Sequence, residues 1–228
     1  MYTIRQQLFK LHFKLLFLMF SINASAQSPV YKNYTVNDGL PSQVVYCALQ
    51  DQQGYMWFGT DAGVSRFDGK HFVNFTSRDG LSDNEVLNMF LDSKGRIWFY
   101  TLNRKISYFL DDRFHNPSND SLLSKINLKY ELMSFLEDSY GNVWLGGYGR
   151  QLILITNNGE VETFDFDSQD IGFRRAWIYP YEKAPNEIWF FTPNQIWQYK
   201  NGNMSVRDSS NFLNPFKTRF NLFRLSSA

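Results

Sequence analysis

From residue 31 onward, hydrophobic positions fall in short runs rich in Val, Tyr, Phe, Trp and Thr, separated by turn-forming Gly, Asn, Asp and Ser. No run sustains the 3.6-residue period of a helix, so the pattern predicts strands. Around the first clear repeat the runs cover 44–50, 55–60, 64–67 and 72–76, with Gly54, Gly63 and Gly69 at the breaks. Four short strands joined by tight turns read as an antiparallel meander. The first run of each unit, "VVYCAL", "VLNMFL" and "ELMSFL", is apolar at both alternating positions. That pattern predicts a strand buried on both faces, as in innermost strands sandwiched between neighbouring blades.

The pattern repeats. "QDQQGYMWF", "LDSKGRIWF", "EDSYGNVWL" and, more faintly, "EKAPNEIWF" share the form Asp-x-x-Gly-x-x-Trp, and their tryptophans (Trp57, Trp98, Trp144, Trp189) are spaced 41, 46 and 45 residues apart. A second marker, "NDGLPSQ" then "RDGLSDN", repeats in the same register, with Asp38 and Asp79 again 41 apart. A period near forty residues is that of four-stranded propeller blades. The expected fold class is therefore all-β, a propeller of four-stranded antiparallel blades with about four present. In each unit the motif has a structural explanation. The glycine (Gly54, Gly95, Gly141) takes positive φ in the first turn, the carboxylate (Asp51, Asp92, Asp138) bonds turn amides, and the tryptophan is a buried wedge. Unit four keeps Trp189, replaces the glycine with Asn186, the next best residue for a left-handed turn, and has Lys183 in place of the acid.

The N-terminus adds an address. Arg5, Lys10 and Lys14 precede the apolar "LLFLMFSI" and the small-residue "ASA" at 24–26. This is the form of a secretory leader over 1–26, too short to span a bilayer. The remaining chain, 27–228, divides into a lone outer strand at 30–35 (matching 71–76), blades at about 40–76, 82–116, 130–166 and 174–208, and what reads as the start of a truncated blade at 209–228. The lone strand finds no home in a closed ring of four, so an incomplete ring from a longer propeller is expected. A net charge of +1 excludes recognition of nucleic acid by bulk charge. The single Cys47 excludes an internal disulfide and reads as a small core residue.

The series "NDGLPSQVVYCALQDQQGYMWFGTDAGVSRFDGKHFVNFT" closely resembles the two-component regulator propeller repeat, strongly over 37–76, well over 79–109, and progressively more weakly over 132–155 and 174–200. The resemblance implies a seven-bladed ring and the periplasmic sensor region of a hybrid or classical histidine kinase of Bacteroidetes-type bacteria. It implies a small-molecule or oligosaccharide ligand, often a glycan fragment. It also implies a homodimeric receptor whose membrane contact and signalling lie in C-terminal parts, with no catalysis in this segment. The chain departs from the family after Trp-Phe, where Gly59 gives way to Tyr100 and Phe191, and where the "DAG" turn becomes "LNRK".

Catalytic groups are sparse. "GVSRFDGKH" misses the phosphate-loop spacing, "GGYGRQ" follows no βαβ unit, and "DFDSQD" lacks the glycine and glutamate of a calcium loop. His12, His71 and His115 share no metal-ligand spacing, so neither cofactor nor metal is expected. Acids meeting in space across blades would still permit a polysaccharide lyase or hydrolase, and a free-standing protein-interaction propeller is a further alternative. The loops joining blades and those between second and third strands should share one face. On it, Arg104, Tyr148, Arg150, Arg174, Arg175 and Asn194 depart from the repeat and are the candidate ligand-binding residues. Arginines paired with a carboxylate or sulfate and Tyr148 stacked on a ring would suit an acidic sugar.

Overall fold

The computed structural model describes residues 31–166, 176–191 and 195–208. The expected leader and the expected start of a further blade lie outside them. The described residues from Thr35 onward belong to one compact unit. No strand is formed over 31–35, where an outer strand is expected. Thr35 instead caps a short 3-10 turn, Val36–Asp38, its hydroxyl accepting from Asn37 N while Asp38 returns to the Thr35 amide at 2.8 Å. The same capping box recurs at Thr76 and Asp79, and each turn closes on a left-handed glycine, Gly39 or Gly80. The "DGL" repeat is thus a turn signature.

The strands β1 (Val45–Gln50), β2 (Met56–Thr60), β3 (Gly63–Phe67) and β4 (Phe72–Phe75) pair consecutively in one antiparallel sheet. A second such sheet is formed by β5 (Val86–Leu91), β6 (Ile97–Thr101), β7 (Ile106–Leu110) and β8 (Arg113–His115). The third has β9 (Glu131–Glu137), β10 (Val143–Gly149), β11 (Gln151–Ile155) and β12 (Val161–Asp165), with β13 (Ala176–Trp177) added beside the end of β10. The fourth runs β14 (Tyr179–Ala184), β15 (Glu187–Phe191), β16 (Ile196–Lys200) and β17 (Asn203–Asp208). These are four-stranded antiparallel meanders of the propeller-blade type.

The core sits between successive blades. Trp57 and Val64 of the first meet Val86, Met89, Phe99 and Phe109 of the second. Trp98, Tyr100 and Ile106 of the second meet Leu132, Val143, Leu145 and Ile153 of the third. Trp144 and Leu152 of the third meet Ile188 and Phe190 of the fourth. In the second and third sheets, period-two alternation turns one face toward the blade before and the other toward the blade after, so their middle strands are covered on both faces. Every residue of β6 and of β11 is buried.

The first strands are different, and here the expectation fails. In β1 no residue is buried, Val45 and Tyr46 are more than 40% exposed, and β14 is also largely exposed. A first strand pairs along one edge only and contributes fewer side chains to the inter-blade clusters, so its apolar positions remain half open. β5, with blades on both sides, buries only Val86 and Met89 completely.

A polar clasp joins blades two to three and three to four. The Ser93 amide and hydroxyl donate to the Glu137 carboxylate at 2.7 and 2.6 Å, and Ser139 repeats this with Glu182 at 3.0 and 2.6 Å. Each serine follows a motif aspartate, and each glutamate precedes the equivalent position of the next unit. Gln52 and Leu91 hold those places at the first junction. There Tyr46 Oη donates to Glu85 Oε1 at 2.8 Å instead. No helix among the described residues is long and apolar enough to cross a membrane.

Candidate functional site

The repeated motif is a folding device. Asp51 Oδ1 accepts the amides of Gln53 and Tyr55, both at 2.9 Å, while its Oδ2 accepts the indole N–H of Trp57 at 2.7 Å. Asp92 does the same with Lys94, Arg96 and Trp98, and Asp138 with Tyr140, Asn142 and Trp144. Gly54, Gly95 and Gly141 all take the left-handed φ the turn requires. The indole bond is additional to what the spacing predicts, and it explains why the wedge is tryptophan and not another large residue. In the fourth unit, Asn186 supplies the left-handed turn at φ 63°. With Lys183 in the aspartate position, Glu187 accepts the Trp189 indole N–H at 2.7 Å, and it also pairs with Lys200 at 2.7 Å and Arg207 at 3.3 Å. The Lys200 hydrogen bond, then that of Trp189, holds the Glu187 carboxyl below its usual range.

In the second blade, the turn between second and third strands meets the loops that join it to its neighbours. Leu102 N donates to Glu85 O at 3.0 Å, Asn103 Nδ2 to Ser82 O at 2.9 Å and Arg104 Nη1 to Lys129 O at 3.1 Å. The turn over 102–104 therefore bridges the connections entering and leaving its blade. Between it and the 116–130 connection opens a groove of about 520 Å³, lined by Asn103, Arg104, Lys105, Leu123, Ile126 and Asn127 among others. Asp120 organises the far wall. Its Oδ1 accepts the Leu122 and Leu123 amides at 2.8 and 3.0 Å, and its Oδ2 accepts the Tyr108 hydroxyl at 2.5 Å. Burial and then that hydrogen bond push the Tyr108 hydroxyl up to about 12. For Asp120, burial works against ionisation, but the Tyr108 and backbone hydrogen bonds prevail and hold its carboxyl low.

The candidate residues separate. Arg104 and Arg150 each follow their repeat tryptophan by 6 positions and so occupy the same place in consecutive blades. Arg104 reaches the groove and adopts φ 61°. Arg150 is half-buried, its carbonyl accepts the Phe166 amide at 2.8 Å, and its Nε is sealed from solvent with no hydrogen-bond partner among the described residues. Tyr148 pairs through its backbone with both Glu131 and Trp177, away from the groove lining. Arg174, Arg175 and Asn194 lie outside the described residues. The "GGYGRQ" run is explained by close approach, since a Cβ on Gly146 would stand 2.4 Å from Ile178 O and one on Gly149 would stand 2.2 Å from the Tyr130 ring.

Sequence reasoning missed Lys105, Asn127, Lys129 and Gln151. Gln151 is buried, donating to Asn127 O and accepting from Lys129 N, both at 3.0 Å, so it pins the groove wall. A clue was available, because the spacing from Trp98 to Trp144 is 46 where the preceding one is 41, and the extra residues fall in this connection. Among the described residues no cluster of three His, Cys, Asp or Glu side chains is placed to hold a metal ion.

Cys47 stands against Gly59, where any Cβ would lie 2.5 Å from its sulfur. Burial pushes its thiol up from 9.0 to about 11, the Gly59 amide partly offsetting this. At pH 8 its thiolate, the nucleophilic form, should be about a hundredfold scarcer than in the unperturbed thiol. Iodoacetamide labelling followed by mass spectrometry should therefore be correspondingly slow, and labelling at the rate of a free cysteine would contradict this placement.

Comparison with known proteins agrees with this geometry. Residues 39–62 and 80–102 match the family described as two component regulator propeller. Over 56 residues, 25% of this chain, the sequence is 39% identical to histidine kinase P4 of Formosa agariphila, and the match spans 4% of that protein. The extracellular domain assigned to the hybrid two component system BT3049 of B. thetaiotaomicron superposes with a TM-score of 0.57 at 14% identity, covering 78% of this chain and 26% of that one. A second extracellular domain from that organism, BT4673, gives 0.47 at 15% identity over 75% of this chain and 31% of the other. The chain thus spans a small part of the proteins it matches. The Asp-x-x-Gly-x-x-Trp units of the first two blades are thus similar in sequence to the repeat of the two component regulator propeller family, and the third blade builds its unit in the same way.

Proposed function

We propose that this chain is the ligand-sensing propeller region of a two-component sensor histidine kinase, acting outside the cytoplasmic membrane without catalysing a reaction. The observation that carries the reading is the run of matched propeller repeats together with local identity to a histidine kinase. The motif acids are engaged in turns and indole bonds, a folding role repeated blade by blade. The ligand class is a glycan fragment. In the full receptor, a homodimer, binding would favour one packing of the propellers over another and pass that preference to membrane and kinase segments.

The test exposes the protein to polysaccharide fragments and follows both thermal stability and the fate of the ligand. A ligand that raises the melting temperature in proportion to its concentration and is recovered intact is the expected result. Recovery of shortened or unsaturated fragments would instead make the chain an enzyme, and the absence of any stabilising fragment would remove the sensing role.

A further inference from the structure

The groove beside the second blade is not demanded by the repeat. The corresponding connection before that blade, 76–85, is shorter and is mostly occupied by the capped "DGL" turn. The 116–130 connection is longer and is built as a wall. Leu123 is buried at its centre, Asp120 ties the 122–123 backbone to Tyr108, Gln151 brackets Asn127 and Lys129, and Arg104 holds the Lys129 carbonyl. A ligand entering here would find the wall already ordered, so little conformational entropy would be lost on binding.

The lining has a definite chemistry. Arg104, Lys105 and Lys129 contribute three cations, and among the described residues no carboxylate lines the groove, although the whole chain carries a net charge of only +1. Lys129 Nζ meets Asp165 at 2.6 Å in a half-exposed pair, which leaves Arg104 and Lys105 as the principal charges. One Arg104 N–H donates to Lys129 O, and a guanidinium carries five such donors in a fork suited to carboxylate or sulfate. The apolar lining is aliphatic, from Pro117, Leu123, Ile126 and Leu128, and among the described residues no aromatic ring lines the groove for a sugar to stack on.

We infer that this groove recognises an anionic oligosaccharide, Arg104 and Lys105 engaging a uronate carboxylate or a sulfate ester while the aliphatic wall covers the adjoining sugar ring. This rests on the ligand-sensing reading and narrows it to one charge class. A volume of about 520 Å³ suits a short oligosaccharide.

Calorimetric titration of the full chain with short oligogalacturonates, sulfated disaccharides and neutral cello-oligosaccharides of equal length tests the inference. The anionic sugars should bind, weakening with added salt, and the neutral ones should not. Arg104→Asn, which keeps a residue tolerant of the left-handed turn, and Lys105→Ala should each weaken anion binding about tenfold, the size of one charge-assisted hydrogen bond. Lys105→Ala leaves the wall contacts intact and guards against simple loosening of the loop. Neutral sugars binding equally well, or anionic binding unchanged in both variants, would overturn the inference and leave the sensing reading standing. Binding by neither class would overturn both.

Discussion

Alanine in place of Trp98 is expected to lower the folding free energy by about 4 kcal/mol, the cost of deleting a fully buried large aromatic side chain and leaving a cavity. Trp98 is 0% exposed, packs among residues of the second and third blades, lies beneath the Arg96 guanidinium at 4.6 Å and donates its indole N–H to Asp92. Asp92→Ala should cost about 3 kcal/mol by a different route, because it strands a buried indole N–H, two turn amides and the Arg96 side chain. The two residues touch, so the double variant should lose about 1 to 2 kcal/mol less than the two single losses together. Trp189→Ala supplies the contrast. That indole is only half-buried and lies against Arg207, so a loss of about 1 kcal/mol is expected. Urea denaturation followed by circular dichroism of the strands decides. Equal midpoints for the Trp98 and Trp189 variants would mean that the inter-blade wedge does not carry stability as the packing indicates.

The second large effect concerns a single methyl group. Gly147→Ala should destabilise the chain by about 3 kcal/mol or more, because the added Cβ would stand 2.0 Å from Glu131 O and 2.9 Å from Leu132 Cα. Both obstacles are backbone atoms of β9, which is held to β10 by its ladder and cannot swing aside as a side chain would. Gly159→Ala is the control. Its φ is +86° but nothing lies within 4 Å, so only the left-handed conformation is penalised, by about 1 kcal/mol. Matching melting temperatures for the two variants would show that β9 and β10 do not approach as closely as described.

Much of this architecture is legible along the chain because its causes are local and repeat. A turn that needs positive φ must place glycine or asparagine at one position, and a carboxylate that reaches turn amides must sit a fixed distance before it. Asp92, Gly95 and Trp98 therefore recur at the blade period, and Thr76 and Asp79 mark the capped turn in the same way. The sequence by itself determined the four meanders, their order and the structural meaning of the motif. Strand burial was less legible, since "VVYCAL" states that its side chains are apolar and not whether a neighbour covers both faces. Only the tertiary structure decided which acid accepts the Trp189 indole, because Glu187 lies on the strand itself, outside the aspartate position of the repeat. It also decided the candidate site. Gln151 meets Asn127 and Lys129 from more than 20 positions away, and Arg104 meets Lys129 from 25 away, distances over which no periodicity operates. A repeat records what every blade must do to fold, whereas a groove arises where one blade departs from its neighbours, and the shape of that departure is set by contacts between segments remote in sequence.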